Sequence, residues 1–177
     1  MTLNRDAIAK FFREGWWRKP LSAYRLWRAE HRGWKDAHSV WEYIGRDRNV
    51  AYLMMDSSRS EEELWEKGRK VAQALRWGLN IKRDHRVLEL GCGVARIGRE
   101  LAPYCGEWWG CDISTSLIRI AQQRTAHLKN VHFKVLHDNS LRDFEDNYFD
   151  YSYCHAVFMH LAQIDIFTYE LVSKLLT

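Results

Sequence analysis

The chain has 177 residues, a formal net charge of +4 and a hydrophobic fraction of 46%, enough for one domain with a real core. No apolar run reaches the ~20 residues of a transmembrane helix and no signal-peptide pattern opens the chain, so a cytoplasmic location is expected. Its four cysteines, Cys92, Cys105, Cys111 and Cys154, include no C-x-x-C pair, which argues against a zinc site or a disulfide framework and for reduced, buried thiols.

Residues 1–50 hold eleven Lys and Arg against six Asp and Glu, and five of the nine Trp. Leu3, Ala7, Ile8, Phe11 and Phe12 share one helical face, with basic residues elsewhere. Trp16 to Pro20 closes that element, and Leu21, Tyr24 and Trp27 suggest a second short helix. Three roles are open for this leader. It can cap the rest of the chain with its aromatics, touch an anionic membrane peripherally or, as the weakest reading, serve as an RNA-binding arm. Nucleic acid is not the expected partner.

Tyr52 to Ser60 reads as a loop, or a short helix and a loop. Ser60 and Glu63 then form a capping box, and Leu64, Trp65, Val71, Ala72 and Leu75 keep helical spacing up to Gly78, a C-terminal stop. This places a boundary between a leader over 1–59 and a domain over 60–177.

Arg86 to Leu90 contains the apolar run Val87, Leu88, Leu90 of a buried parallel strand. Gly91 and Gly93 break it, and a helix is expected over Ala95–Ala102. Strand, glycine turn and helix make a site where a ligand can approach the backbone and meet free helix N–H groups. A second strand over Glu107–Cys111 sets Trp108 and Trp109 on opposite faces. Asp112 follows the glycine turn by ~20 residues, where a nucleotide-binding βαβ unit needs a carboxylate for ribose hydroxyls. Ser114 caps a helix over Thr115–His127. Val131 to Leu136 is a third strand, Phe149–Cys154 a fourth, and Ile164 to Leu176 an amphipathic helix. Such alternation implies a parallel α/β sheet.

Two features separate possible cofactors. The glycines Gly91, Gly93 and Gly98, with Ala95 between, do not meet the G-x-G-x-x-G spacing of a dinucleotide fold. Glu89, just before the turn, repels a phosphate but suits an ammonium group. A ligand with a ribose and a cationic amino-acid tail therefore fits better than one with phosphates. An unpaired charge inside an apolar strand is costly, so Glu89 is not a surface carboxylate.

The stretches Val87 to Arg96, Gly110 to Ser114, and Phe149 to Leu161 resemble three successive motifs of the class I S-adenosylmethionine-dependent methyltransferases. They are most similar to the small-molecule enzymes of the methyltransferase-domain type 11, 12 and 25 group. The resemblance runs from Arg86 to Leu176, with Ala95 where the third glycine usually stands. It implies a Rossmann-like parallel sheet, S-adenosyl-L-methionine as cofactor, and transfer of its methyl group to a small-molecule acceptor (EC 2.1.1.-). It also implies roles. The loop Gly91-Cys92-Gly93 passes under the amino-acid end of the cofactor, and Glu89 holds the turn or reaches the ammonium. Asp112 accepts from the ribose hydroxyls, and Ile113 presses on the adenine. Asp138 accepts from the adenine amino group, with Asp143 its rival and the N–H of Asn139 or Ser140 beside it. Cys154 lends a backbone carbonyl at the mouth. His155 or His160 could act as a base, although methyl transfer needs little beyond alignment. No metal is implied. The family continues with a Pro-Gly-Gly turn and three more strands. The C-terminal half is thus expected to be incomplete, the chain a fragment, or the fourth-strand edge covered by a partner chain. Two rivals remain: an RNA methyltransferase using the basic leader, and an inactive, truncated binding or membrane-associated module.

Overall fold

The computed structural model describes residues 37–138 and 141–157. The chain divides into two compact units, Met1–Asp36 and Ala37–Thr177, and every described residue belongs to the second. The two leader helices expected before Gly33, Asn139, Ser140, His160 and the helix expected over Ile164 to Leu176 lie outside the described residues.

The described elements are helices α1 (Ala37–Ile44), α2 (Arg48–Asp56) and α3 (Glu61–Gly78), strand β1 (Arg86–Leu90), the short helix α4 (Gly98–Leu101) with a 3-10 turn at Ala102–Tyr104, strand β2 (Glu107–Asp112), helix α5 (Thr115–Thr125), and strands β3 (Val131–Val135) and β4 (Tyr151–Cys154). The strands form one sheet in the order β3-β2-β1-β4, and every neighbouring pair is parallel. From β1 the chain steps one way to β2 and β3, then returns to place β4 on the other flank of β1. Open α/β sheets bind ligands at such a reversal, outside the C-terminal ends of the strands. Among the described residues β4 pairs with β1 alone, and all four of its residues are half-buried.

Alternation along β1 and β2 splits the core in two. Val87 and Trp108 join Ile97, Leu101 and Ile118 on one face, while Leu88, Leu90 and Cys111 join Leu136, Leu141 and Phe149 on the other. Val87 and Leu88 are fully buried, each worth ~1.5–3 kcal/mol in transfer from water. The two tryptophans face opposite ways, as their adjacency in a strand requires. Trp108 meets Phe133 edge-on and donates to Tyr153 Oη at 3.1 Å, whereas Trp109 stacks on His132 with ring centroids 4.6 Å apart.

Local chemistry sets the helix ends. Ser60 Oγ accepts from the Glu63 N–H at 3.2 Å, but Glu63 reaches back to the Arg59 N–H at 2.9 Å, one residue before the cap. The left-handed residue after α3 is Asn80, with φ of 49°, rather than Gly78. Ser114 caps α5 through the Leu117 N–H at 3.2 Å. The helix expected from Ala95 begins only at Gly98. Ala95 takes a φ of +56°, a left-handed conformation that an α-helix cannot include.

Residues 37–56, counted with the leader from sequence, lie in the same unit as the sheet. The reason is Glu42 on α1, whose carboxylate accepts from Ser114 Oγ and the Ser116 N–H, each at 3.0 Å, and from Ser116 Oγ. An acidic side chain at a helix N-terminus also satisfies the free N–H groups there, so α1 is fastened to the start of α5.

Candidate functional site

The reversal between β1 and β4 opens into a cleft, its empty space roughly 950 Å³ with the solvent at its mouth included. Its floor is the end of β1 and the loop that follows. Asp112 and Ile113 close one side, His155 to Val157 the other, and Trp41, Met54 and Met55 from α1 and α2 form the roof.

The loop begins with Gly91 at φ of +67° and Gly93 at φ of +54°, angles that a side chain rarely adopts. Space is scarce as well. A Cβ on Gly93 would collide with the Met55 thioether, and one on Gly91 with the Val157 side chain. The two bare positions thus seat the roof and the segment after β4, in addition to exposing backbone to the cleft.

Asp112 holds this loop to the start of α5. One carboxylate oxygen accepts from the Gly93 N–H at 2.8 Å, the other from the Ser114 N–H at 2.9 Å. Only 7% of the residue is exposed. Burial raises its pKa, while the amides of Ser114, Gly93 and Ile113 pull the other way. Each oxygen has a second lone pair, so the group can still accept from a ligand.

Glu89 is 3% exposed. Tyr153 Oη donates to it at 2.7 Å and in turn accepts from the Trp108 indole N–H at 3.1 Å. Burial lifts the Glu89 pKa from 4.5 to about 8; the Tyr153 hydrogen bond, the Arg96 charge and the Gly98 amide oppose the rise, and Asp112 adds to it. A carboxyl in this state asks for a cation. Burial also pushes the Cys92 thiol well above 9, so it stays protonated and inert.

Arg96, which sequence reading passed over as a site residue, is 7% exposed and lines the cleft. Its Nη2 lies 2.9 Å from His155 Nδ1 and its Nη1 3.5 Å from Asp56 Oδ2 at the end of α2. Burial, then the Arg96 charge, hold the His155 imidazole below its ordinary 6.5. A guanidinium only donates, so Nδ1 accepts and Nε2 carries the proton. His155 therefore offers its surroundings a donor, not a base.

The structure brings Glu89, Gly91, Cys92, Asp112, Ile113 and His155 to one cleft, with Gly93 in its floor loop. It does not bring Asp138 there. That side chain is 47% exposed and pairs with Arg142 at 2.6 Å, and its rival Asp143 pairs with Lys134 at 2.6 Å. Cys154 ends β4 outside the cleft wall, packed with Leu88 and Leu90. Met54, which the sequence offered as able to lie over the site, lines the cleft, and Met55 entered by tertiary packing alone. Among the described residues there is no cluster of His, Cys, Asp and Glu able to hold a metal ion, and no helix long and apolar enough to cross a membrane.

The model of a methyltransferase domain matches residues 87–175, half of the chain. The chain belongs to this methyltransferase family. No curated protein matches it. Among solved structures, the chain is similar to phosphoethanolamine N-methyltransferase 1 of Haemonchus contortus, in complex with phosphoethanolamine and S-adenosylhomocysteine. That match has 19% identity and a TM-score of 0.63 over 77% of this chain and 28% of that one. It is also similar to the N-methyltransferase NodS of Bradyrhizobium japonicum WM9, in complex with S-adenosylhomocysteine, with 21% identity and a TM-score of 0.61 over 79% of this chain and 67% of that one. A methyltransferase from Aquifex aeolicus matches at 19% identity and a TM-score of 0.51 over 64% and 66% of the two chains. These likenesses show a Rossmann-like class I methyltransferase fold. The chain spans about a quarter of the length of the first of them.

Proposed function

We propose that this domain binds S-adenosylmethionine in the cleft beside Gly91 and transfers its methyl group to a small-molecule acceptor. One observation carries the reading: two buried carboxyl groups, Glu89 and Asp112, flank a left-handed glycine loop in a single cleft. That donor set fits the cofactor. Glu89, poised to ionise against a cation, meets the ammonium of the amino-acid tail. Asp112 keeps lone pairs for the ribose hydroxyls while its amide bonds hold it in place. Ile113 and Leu136 supply apolar wall for the adenine. Asp138 keeps acceptor sites beyond its Arg142 pair for the adenine amino group, and Asn139 and the Cys154 carbonyl complete the proposed contacts.

When bound, the cofactor supplies a methyl group on a positively charged sulfur that leaves as a neutral thioether. The chain's own task is therefore alignment, worth far more than proton transfer in such a displacement. Met54, Met55 and Trp41 cover the cleft and exclude water. His155, with its proton on Nε2, orients an acceptor instead of deprotonating it; His160 remains the alternative for a base. The two N-methyltransferases with similar folds were solved with S-adenosylhomocysteine, one of them with a small phosphorylated amine, which supports both halves of the reading.

Calorimetry with S-adenosylhomocysteine tests the first half: binding is expected, and Asp112→Ala should weaken it at least about tenfold, the ~1.4 kcal/mol or more of a charged group's hydrogen bond. No binding, or binding indifferent to that change, rules the reading out. Labelled methyl groups from S-adenosylmethionine should appear in the small-molecule fraction of a cell extract; label confined to RNA would overturn the acceptor class.

A further inference from the structure

We propose that Arg96, seconded by His155, is an oxyanion clamp that receives a carboxylate or phosphate group of a ligand held in the cleft. The inference rests on the proposed reading for one of its two sources, the carboxylate on the cofactor's amino-acid tail; the other source is an anionic acceptor.

Among the described residues that line the cleft, Arg96 alone has a permanent positive charge, and more than nine-tenths of it is buried. A guanidinium carries five N–H donors. One of them points at His155 Nδ1, 2.9 Å away. The Asp56 oxygen at 3.5 Å is an ion pair too long for a hydrogen bond, and Asp56 Oδ2 is itself buried without a hydrogen-bond partner. Among the described residues its other four donors meet no protein acceptor, and unlike the Asp56 oxygen they are not sealed from solvent, so a ligand entering the cleft can reach them. The backbone that carries it is closely packed, its carbonyl set against Gly68 of α3, where even a Cβ would not fit.

The chemistry of the missing acceptor follows. A planar fork matches a carboxylate or phosphate through two parallel hydrogen bonds. His155, fixed with its proton on Nε2, adds a donor from the end of β4. The acidic groups nearby are Asp56, Glu89 and Asp112. Asp56 stands off Arg96 at ion-pair distance, Glu89 is engaged by Tyr153, and Asp112 by the Gly93 and Ser114 amides. None of them closes the fork.

The test uses the full chain and two probes, S-adenosylhomocysteine and its decarboxylated counterpart with an aminopropyl tail. If the clamp holds the cofactor's carboxylate, the unaltered protein prefers the carboxylated probe by about tenfold or more, the worth of one charge-assisted hydrogen bond, and Arg96→Gln removes the preference. If it holds an acceptor, the preference is absent from both proteins, and inorganic phosphate or acetate raises the melting temperature of the unaltered protein saturably but not that of Arg96→Gln. Either result supports the clamp; the absence of both overturns it. Failure of S-adenosylhomocysteine to bind at all would sink the cofactor reading, while the phosphate and acetate titrations on the free protein would still decide the clamp. Should Arg96→Gln not fold, Arg96→Lys keeps the charge and loses the fork, and the same comparisons are read from it with a reduced preference expected.

Discussion

Glu89 makes the strongest demand on the structure, because a carboxyl that is 3% exposed inside a parallel strand must show itself in the pH dependence of stability. Its pKa is about 8 in the folded protein against an ordinary 4.5. Below pH 4.5 both states hold the proton. Between 4.5 and about 8 the unfolded chain releases it and the folded protein keeps it, so stability falls as pH rises; above 8 both are ionised and the loss is complete. One proton over that interval, at ~1.36 kcal/mol per pH unit, amounts to ~5 kcal/mol as an upper limit, and relaxation around the charge will reduce it. Glu89→Gln keeps the shape and abolishes the titration. Urea unfolding of both proteins at pH 5 and pH 8.5 isolates the effect, since groups that do not interact with Glu89 cancel in the difference, while Asp112, coupled to it, adds to the Glu89 contribution. The unaltered protein should lose ~2–5 kcal/mol more than the variant over that range. A difference that does not change with pH would refute the burial argument. The same state predicts that binding the ammonium-bearing S-adenosylhomocysteine at pH 7 releases close to one proton, seen as a dependence of the binding heat on buffer ionisation enthalpy. Glu89→Gln should abolish that dependence.

Asp112→Asn should cost stability as well as affinity, by ~1–3 kcal/mol in urea unfolding, because the carboxylate holds the Gly93 and Ser114 amides; affinity lost without stability would separate the two roles. Gly68→Ala should destabilise by ~1–3 kcal/mol, since the new Cβ meets the Arg96 carbonyl, and an unchanged denaturation midpoint would show that α3 can shift freely. Ala95→Val should cost more than Ala95→Gly in thermal melts, because a β-branched side chain suits the φ of +56° least; equal melting temperatures would argue against the left-handed turn. Glu42→Gln should lower the melting temperature and weaken S-adenosylhomocysteine binding together, since Glu42 fastens α1 to the Ser114–Ser116 turn beside Asp112. Unchanged binding would separate the roof from the site.

What the sequence discloses of this site is what is local along the chain. Glu89, Gly91 and Gly93 lie within five residues, and Asp112 stands at the spacing one βαβ unit imposes. A charge in an apolar strand pointed to burial without any knowledge of Tyr153, which answers it from β4. The same logic applied to Arg96 would have found it, for Val94, Ala95 and Ile97 around it are 0 to 1% exposed; a charged residue among such neighbours is either partnered or wanted by a ligand. It was hidden by the expectation of a helix from Ala95, whose composition favours one. The tertiary fold overrides that preference by closing the loop through the Asp112 carboxylate. Asp138 shows the converse: a carboxylate just after a strand looks functional in one dimension, yet an arginine four residues on holds it at the surface. The half of the cleft proposed to meet a cation is thus written in one short stretch. The half proposed to meet an anion is assembled from Arg96 and His155, separate parts of the chain that only the return of β4 beside β1 brings together.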